Sequence, residues 1–219
     1  MTNPPVPTKP EIALFDPFIG LTLADIVVPS NAAEFSAATE AILAAGVVGF
    51  DTESKPTFAV GEVSTGPHLV QFALHDKAFL FQLHHAAGLP FLVTLLESAS
   101  LIKVGFGLKS DRGHIHAKLG VALRGVVDLN AVFRRDGYHK DMGVRAAVGL
   151  VLKQRFPKSK SVSTSNWSKL VLADAQLLYA ANDAYAALKV LEALQRPLDS
   201  LPVMGLPSQT DASGDGASA

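Results

Sequence analysis

Cysteine is absent from the chain, which excludes disulfides, thiolate zinc sites and cysteine nucleophiles and agrees with a reducing compartment. No His-x-x-x-His pattern offers an alternative zinc site. Long apolar runs are missing too. The start, MTNPPVPTKP, has no apolar core segment of the kind an export signal needs, and the stretch from Ile12 to Val28 is broken by Asp16 and Asp25, too polar to cross a bilayer. These absences predict a soluble, cytoplasmic protein with no membrane partner. There is also no internal repeat. What is present is 219 residues at 48% hydrophobic content, enough for one substantial core and favouring a single domain.

Net charge is low, only -1, but unevenly spread. Between Lys103 and Lys169 there are 14 Lys plus Arg against 4 Asp plus Glu, while the remainder holds 5 against 16. A basic stretch of this kind suits either a polyanion site or a set of solvated helix faces, and charge alone favours the second.

Periodicity and punctuation give the organisation. The first ten residues carry four prolines, and the tail from about Leu198 ends SQTDASGDGASA; both read as structureless. Boundaries follow at 1–24 for a partly disordered extension, 25–197 for the folded domain and 198–219 for a disordered tail. Within the domain, Ser30 followed by AAEFSAATEAILAA predicts a capped helix, and Val47 to Phe50 a buried strand. HLVQFAL and AFLFQL predict an antiparallel hairpin across HDK. LPFLVTLLES reads as a helix, SLIKVGF as a strand, LKSDRGHIHAKLG as a helix and GVVDL as a last strand. From Met142 onward the chain reads as mostly helical, closing with ADAQLLYAANDAYAALKVLEAL. The fold class is α/β, a mixed sheet flanked by helices.

Three places carry chemistry. In VVGFDTES, Asp51 and Glu53 stand two apart on a strand and share a face, so their charges repel unless a cation sits between them or water surrounds them. In KVGFGLKSDRGHI, Gly105 and Gly107 follow a strand, but Ser110 stands where a dinucleotide loop needs its third glycine; what remains is Asp111 near a helix start, where the helix dipole alone accounts for a carboxylate. In LLYAANDAYAAL, Tyr179 and Asp183 are four apart and share a helix face, as a core tyrosine and a solvated aspartate also would.

Taken together, FDTE at 50–53, the aspartate of VGFGLKSD and YAAND at 179–183 resemble, in chain order, the three motifs of the DEDD 3'-5' exonucleases. The tyrosine puts the resemblance in the subclass whose third motif is Tyr-x-x-x-Asp. SNWSKLVLADAQLLYAANDAYAALKV, residues 165–190, is similar to the Werner-syndrome-type exonuclease domain, with ribonuclease D more distant. The resemblance spans roughly residues 25 to 195 and includes nothing like the helicase or helical nucleic-acid-binding domains appended in some relatives.

It implies a ribonuclease H-like fold and two divalent ions, about 3.5 to 4 Å apart, that clamp the attacking and leaving oxygens of an in-line displacement. Oxygen-only ligands favour Mg²⁺ or Mn²⁺. By motif, Asp51 would bridge both ions, Glu53 and Asp183 would hold the first, Asp111 would support the second, and Tyr179 would orient the attacking water. The implied activity is removal of nucleoside 5'-monophosphates from nucleic-acid 3' ends, DNA favoured. The alternatives are RNA 3'-end trimming of the ribonuclease D kind and a catalytically silent binding module, which would be expected to have lost a carboxylate. His84, His85, His114 and His116 read as surface polar groups. Trp167 reads as an anchor or a substrate contact, and Lys103, Lys109 and Arg112 as phosphate contacts or solvated charges.

Overall fold

The computed structural model describes residues 4–57 and 61–206. Its strands are β1 (Asp16–Pro17), β2 (Ile26–Val27), β3 (Val47–Glu53), β4 (Leu69–Ala73), β5 (Ala78–Gln82), β6 (Ile102–Gly105), β7 (Val126–Asp128), β8 (Gln154–Arg155) and β9 (Val203–Met204). Its helices are α1 (Lys9–Ala13), α2 (Ala32–Ala45), α3 (Leu89–Glu97), α4 (Lys109–Leu119), α5 (Leu129–Arg135), α6 (Val144–Ala147), α7 (Lys160–Ser163) and α8 (Asp174–Leu194). Seven strands form one mixed sheet in the order β2-β5-β4-β3-β6-β7-β9. The central strand β3 pairs antiparallel with β4 and parallel with β6. The β4–β5 hairpin, α3, β6, α4, β7 and α8 follow the pattern read from the sequence. The cap of α2 falls one residue later than expected: Asn31 accepts from the Glu34 amide, and Ser30 instead bonds back to the Glu34 carboxylate.

One face of the sheet packs Val48, Phe50, Phe72 and Phe81 against Phe35 and Ile42 of α2 and Leu92, Leu95 and Leu96 of α3. The other face packs Leu69, Ala73 and Leu80 against Ala180, Ala181 and Ala184 of α8. Alanines let α8 approach closely, and Gly49 lets it approach further: a Cβ there would lie 1.9 Å from the Ala184 carbonyl oxygen. A side chain at position 49 would therefore lift α8 off the end of β3.

Several expectations need correction. The region from Leu198 is not structureless throughout, because Leu201 is buried and Val203–Met204 pairs antiparallel with β7 as the sheet's edge. Near the N-terminus, α1 is capped by a reciprocal Thr8–Glu11 box, and β1 pairs with β8. The rest of the expected structureless ends, residues 1–3 and 207–219, lies outside the described residues. The stretch after Met142 is less helical than expected, since β8 and an extended segment separate α6 from α7. Lys103 is no phosphate contact: it is fully buried, and its Nζ donates to the carbonyls of Leu95, Ser98 and Leu101 at 2.9 to 3.0 Å. The lysine thus closes the C-terminal end of α3, where carbonyls lack helical partners. Among the described residues no helix is long and apolar enough to cross a membrane.

Candidate metal centre

Because the pleat alternates, Gly49, Asp51 and Glu53 share the face of β3 that meets α8. The close approach at Gly49 puts Asp183, which directly precedes Ala184, over the two carboxylates. Asp51, Glu53 and Asp183 each offer a carboxylate oxygen within 4.8 Å of the others. Asn182 fixes the helix at this height: its Oδ1 accepts from the Leu21 amide at 2.7 Å and its Nδ2 donates to the Leu21 carbonyl at 3.1 Å.

Asp111, in the first turn of α4, stands outside that trio and is tied to β3 by a short hydrogen bond from the Thr52 hydroxyl. Its approach is set by Asp128, whose carboxylate accepts from the Gly107 and Leu108 amides at 3.1 Å and so fixes the turn from which α4 starts. Tyr179 lies one turn before Asp183. Its ring is 5.9 Å from that of buried Trp167. Trp167 donates to the Ser163 carbonyl at 3.2 Å and is an anchor beneath the tyrosine.

The electrostatics are those of crowded acids. Burial pushes Asp51 well above the usual carboxylate range, and the charges of Asp111 and Asp183 push it further. Burial, then Asp51, raises Glu53 to about 9. Burial also raises Asp111, against the Thr52 hydrogen bond, and Asp183, against Lys158. Tyr179 is raised to about 12 by burial and then by Asp183. For Lys158, burial pulls downward but Asp183 more than offsets it, so the ammonium stays charged.

Lys158 gave no signal in the sequence, yet it supplies the positive charge that the paired carboxylates call for. Its Nζ sits 2.8 Å from Asp183 Oδ2 and 5.4 Å from the Tyr179 ring centroid. Gln71 was also missed. It is the direct cross-strand partner of Asp51 on β4, is fully buried, and neither of its amide atoms has a hydrogen-bond partner among the described residues. Asp183 Oδ1 is likewise buried and unpartnered. Three clustered carboxylates raised by burial, Asp51 and Glu53 also by repulsion from their neighbours, with an orphaned oxygen on Asp183, fit a hard divalent cation. Among the described residues no histidine belongs to a metal-competent group, and the His84 and His85 rings lie 4.1 Å apart, tilted by 40°. Lys109 and Arg112 line a separate small cleft with His116.

Comparison with known proteins identifies the family and the fold. Residues 26–199 match the family model described as 3'-5' exonuclease. The chain is 32% identical over 162 residues to the mouse (Mus musculus) bifunctional 3'-5' exonuclease/ATP-dependent helicase WRN, covering 73% of this chain and 12% of that protein. It is 29% identical over 151 residues to a 3'-5' exonuclease of Arabidopsis thaliana, covering 68% of this chain and 52% of the relative. Among solved structures, the Aedes aegypti Nibbler EXO domain superposes with a TM-score of 0.68 at 20% identity, over 83% of this chain and 95% of that one. Trypanosoma brucei RNase D in complex with RNA U12 superposes with a TM-score of 0.69 at 21% identity, over 81% and 64%. These likenesses carry the ribonuclease H-like fold.

Proposed function

The chain belongs to the 3'-5' exonuclease domain family, and from that premise we propose that it hydrolyses the terminal phosphodiester bond at nucleic-acid 3' ends, releasing nucleoside 5'-monophosphates. The observation that carries the reading is the trio of Asp51, Glu53 and Asp183 oxygens within 4.8 Å. In this reading Asp51, Glu53, Asp183 and Asp111 would hold two divalent ions, Mg²⁺ or Mn²⁺, with Asp51 serving both, Glu53 and Asp183 the first and Asp111 the second. Bound ions would supply a nucleophile at neutral pH and neutralise charge on the attacking and leaving oxygens. The chain's own residues do the positioning. Thr52 holds the Asp111 carboxylate, Asn182 holds α8 in place, and the Tyr179 hydroxyl orients the attacking water. The catalytic unit of this proposal is residues 25–197, closed at the sheet edge by β9. A cytoplasmic setting belongs to the same proposal and rests on the cysteine-free composition.

DNA is the favoured strand, because residues 165–190 resemble the Werner-type domain. RNA trimming is the second reading; RNase D shares the fold to the same degree as the Nibbler domain and is known with RNA bound. The test compares labelled single-stranded DNA, recessed duplex DNA and RNA under one set of metal conditions. Expected are stepwise loss of 3' nucleotides in Mg²⁺ or Mn²⁺, none in excess chelator, and a loss of at least about 10³-fold for Asp51→Asn, on the scale of removing a key electrostatic group. Activity that survives chelation, or an Asp51→Asn protein as active as wild type, overturns the assignment.

A further inference from the structure

Beside the carboxylate cleft lies a second cavity of about 470 Å³, within the size range of small-ligand sites. Four cations line it, Lys9 from α1, Arg145 from α6, and Arg155 and Lys158 from the segment at β8, and no acid does. Its floor is apolar, with Phe156 buried and Ile12 and Pro17 beside it. Arg145 is held in place by donating to the Lys158 carbonyl at 2.6 Å. Neither Lys9 nor Arg155 makes an ion pair among the described residues. The carboxylate cleft, about 370 Å³, also includes Lys158 in its wall, so one side chain divides an acidic chamber from a basic one.

This arrangement suits a ligand that is anionic along its length and carries flat apolar groups. Cations at the rim match phosphates, and an apolar floor matches base faces. We infer that the second cavity holds the substrate strand next to its 3'-terminal nucleotide, with the backbone phosphates on Lys9, Arg145 and Arg155 and a base against exposed Pro17 at the apolar floor. The inference rests on the exonuclease reading, and it explains why the short N-terminal segment folds back: α1 and β1 complete one wall.

The test uses Asp51→Asn protein, to prevent cleavage, with and without Lys9→Gln and Arg155→Gln. Both positions are exposed and outside the metal centre. Binding of a dinucleotide, an octanucleotide and a nucleoside 5'-monophosphate is measured against salt. Expected is a loss of about tenfold in octanucleotide affinity, with the log–log salt dependence shallower by roughly 0.7 for each single-strand phosphate contact removed. Mononucleotide binding is expected to stay as before. Unchanged octanucleotide affinity overturns the inference, and so does an equal loss for the mononucleotide, which would make the cavity a free-nucleotide site. Should the double variant melt early, the two single variants carry the same test, each with a part of the loss. Failure of the exonuclease reading shows separately, as wild-type protein that cleaves no oligonucleotide at all.

Discussion

Lys158 places its ammonium 2.8 Å from Asp183, at a group of acids that could hold a metal ion. The ammonium therefore supplies Asp183 with counter-charge when no cation is bound. Lys158→Ala should leave the nearly buried Asp183 without its counter-charge and destabilise the metal-free protein by about 1–3 kcal/mol, below the full cost of breaking a buried pair because Lys158 is 36% exposed. Saturating Mg²⁺ should recover most of that loss. Urea unfolding with chelator and with Mg²⁺ measures both quantities. An equal deficit in the two conditions would mean that lysine and metal do not share a role.

The four raised acids predict an unusual pH dependence. Asp51, Glu53, Asp111 and Asp183 all titrate above their unfolded values, so protonating them favours the folded state. Their contribution is fully present below the unfolded values near 4 and is lost as pH rises toward the Glu53 value of about 9. Metal-free protein should accordingly melt at a lower temperature at pH 8.5 than at pH 5.5. Added Mg²⁺ should raise the melting temperature more at the higher pH, since carboxylates bind it deprotonated. A flat profile in chelator would show that the acids are not packed together in solution.

Asp51 and Glu53 were legible because a strand's period of two puts them on one face whatever the rest of the chain does, and Tyr179 with Asp183 because a helix does the same at a spacing of four. The principal helices and the inner strands were legible for the same reason. Gln71 and Lys158 were not. That Gln71 faces Asp51 depends on the β3–β4 register, and that Lys158 reaches Asp183 depends on a loop, and neither is a local property of sequence. β9 escaped because a two-residue edge strand has no period to read. Lys103 escaped because lysines are almost never fully buried.

Lys103 itself gives a stability prediction. Burial lowers it to about 7, and its three hydrogen bonds are what the α3 end and the following turn receive in return. Lys103→Met fills similar volume but leaves buried carbonyls without that donor, so a loss of about 1–3 kcal/mol is expected in urea unfolding. Exonuclease turnover of the folded fraction should not change, because the side chain faces away from the metal centre. A variant as stable as wild type would mean those carbonyls find other donors.

Gln71 should behave in the opposite way. Its amide is buried with no partner, so Gln71→Met removes a desolvated polar group at nearly constant volume and should stabilise the metal-free protein by about 1–2 kcal/mol. Gln71 stands directly opposite Asp51, so in the proposed metal site its amide would support that ligand. The same variant should therefore bind Mn²⁺ more weakly, by about tenfold as expected for a residue supporting a metal ligand. Calorimetric titration reads the second effect independently of catalysis. Greater stability with unchanged Mn²⁺ affinity would make Gln71 an ordinary packing defect.

Tyr179 separates positioning from proton transfer. Burial and then Asp183 raise its phenol to about 12, so it is protonated near neutral pH, which suits orienting a water molecule rather than deprotonating it. Removing only the hydroxyl, in Tyr179→Phe, keeps the ring against Trp167 and loses only the polar interactions of the hydroxyl, at a stability cost of roughly 1 kcal/mol. Turnover should fall on the order of 10²-fold with oligonucleotide affinity nearly unchanged, because orientation of the nucleophile matters in the transition state more than in binding. If the tyrosine were the base, the variant would also lose a limb of the pH–rate profile; as a positioning group it should lower the whole profile between pH 7 and about 9 without changing its shape. Single-turnover cleavage with saturating enzyme, measured across that range, distinguishes these outcomes. An unchanged rate at every pH would leave Tyr179 as a packing residue and Asp183 as the one contributor from this turn of α8.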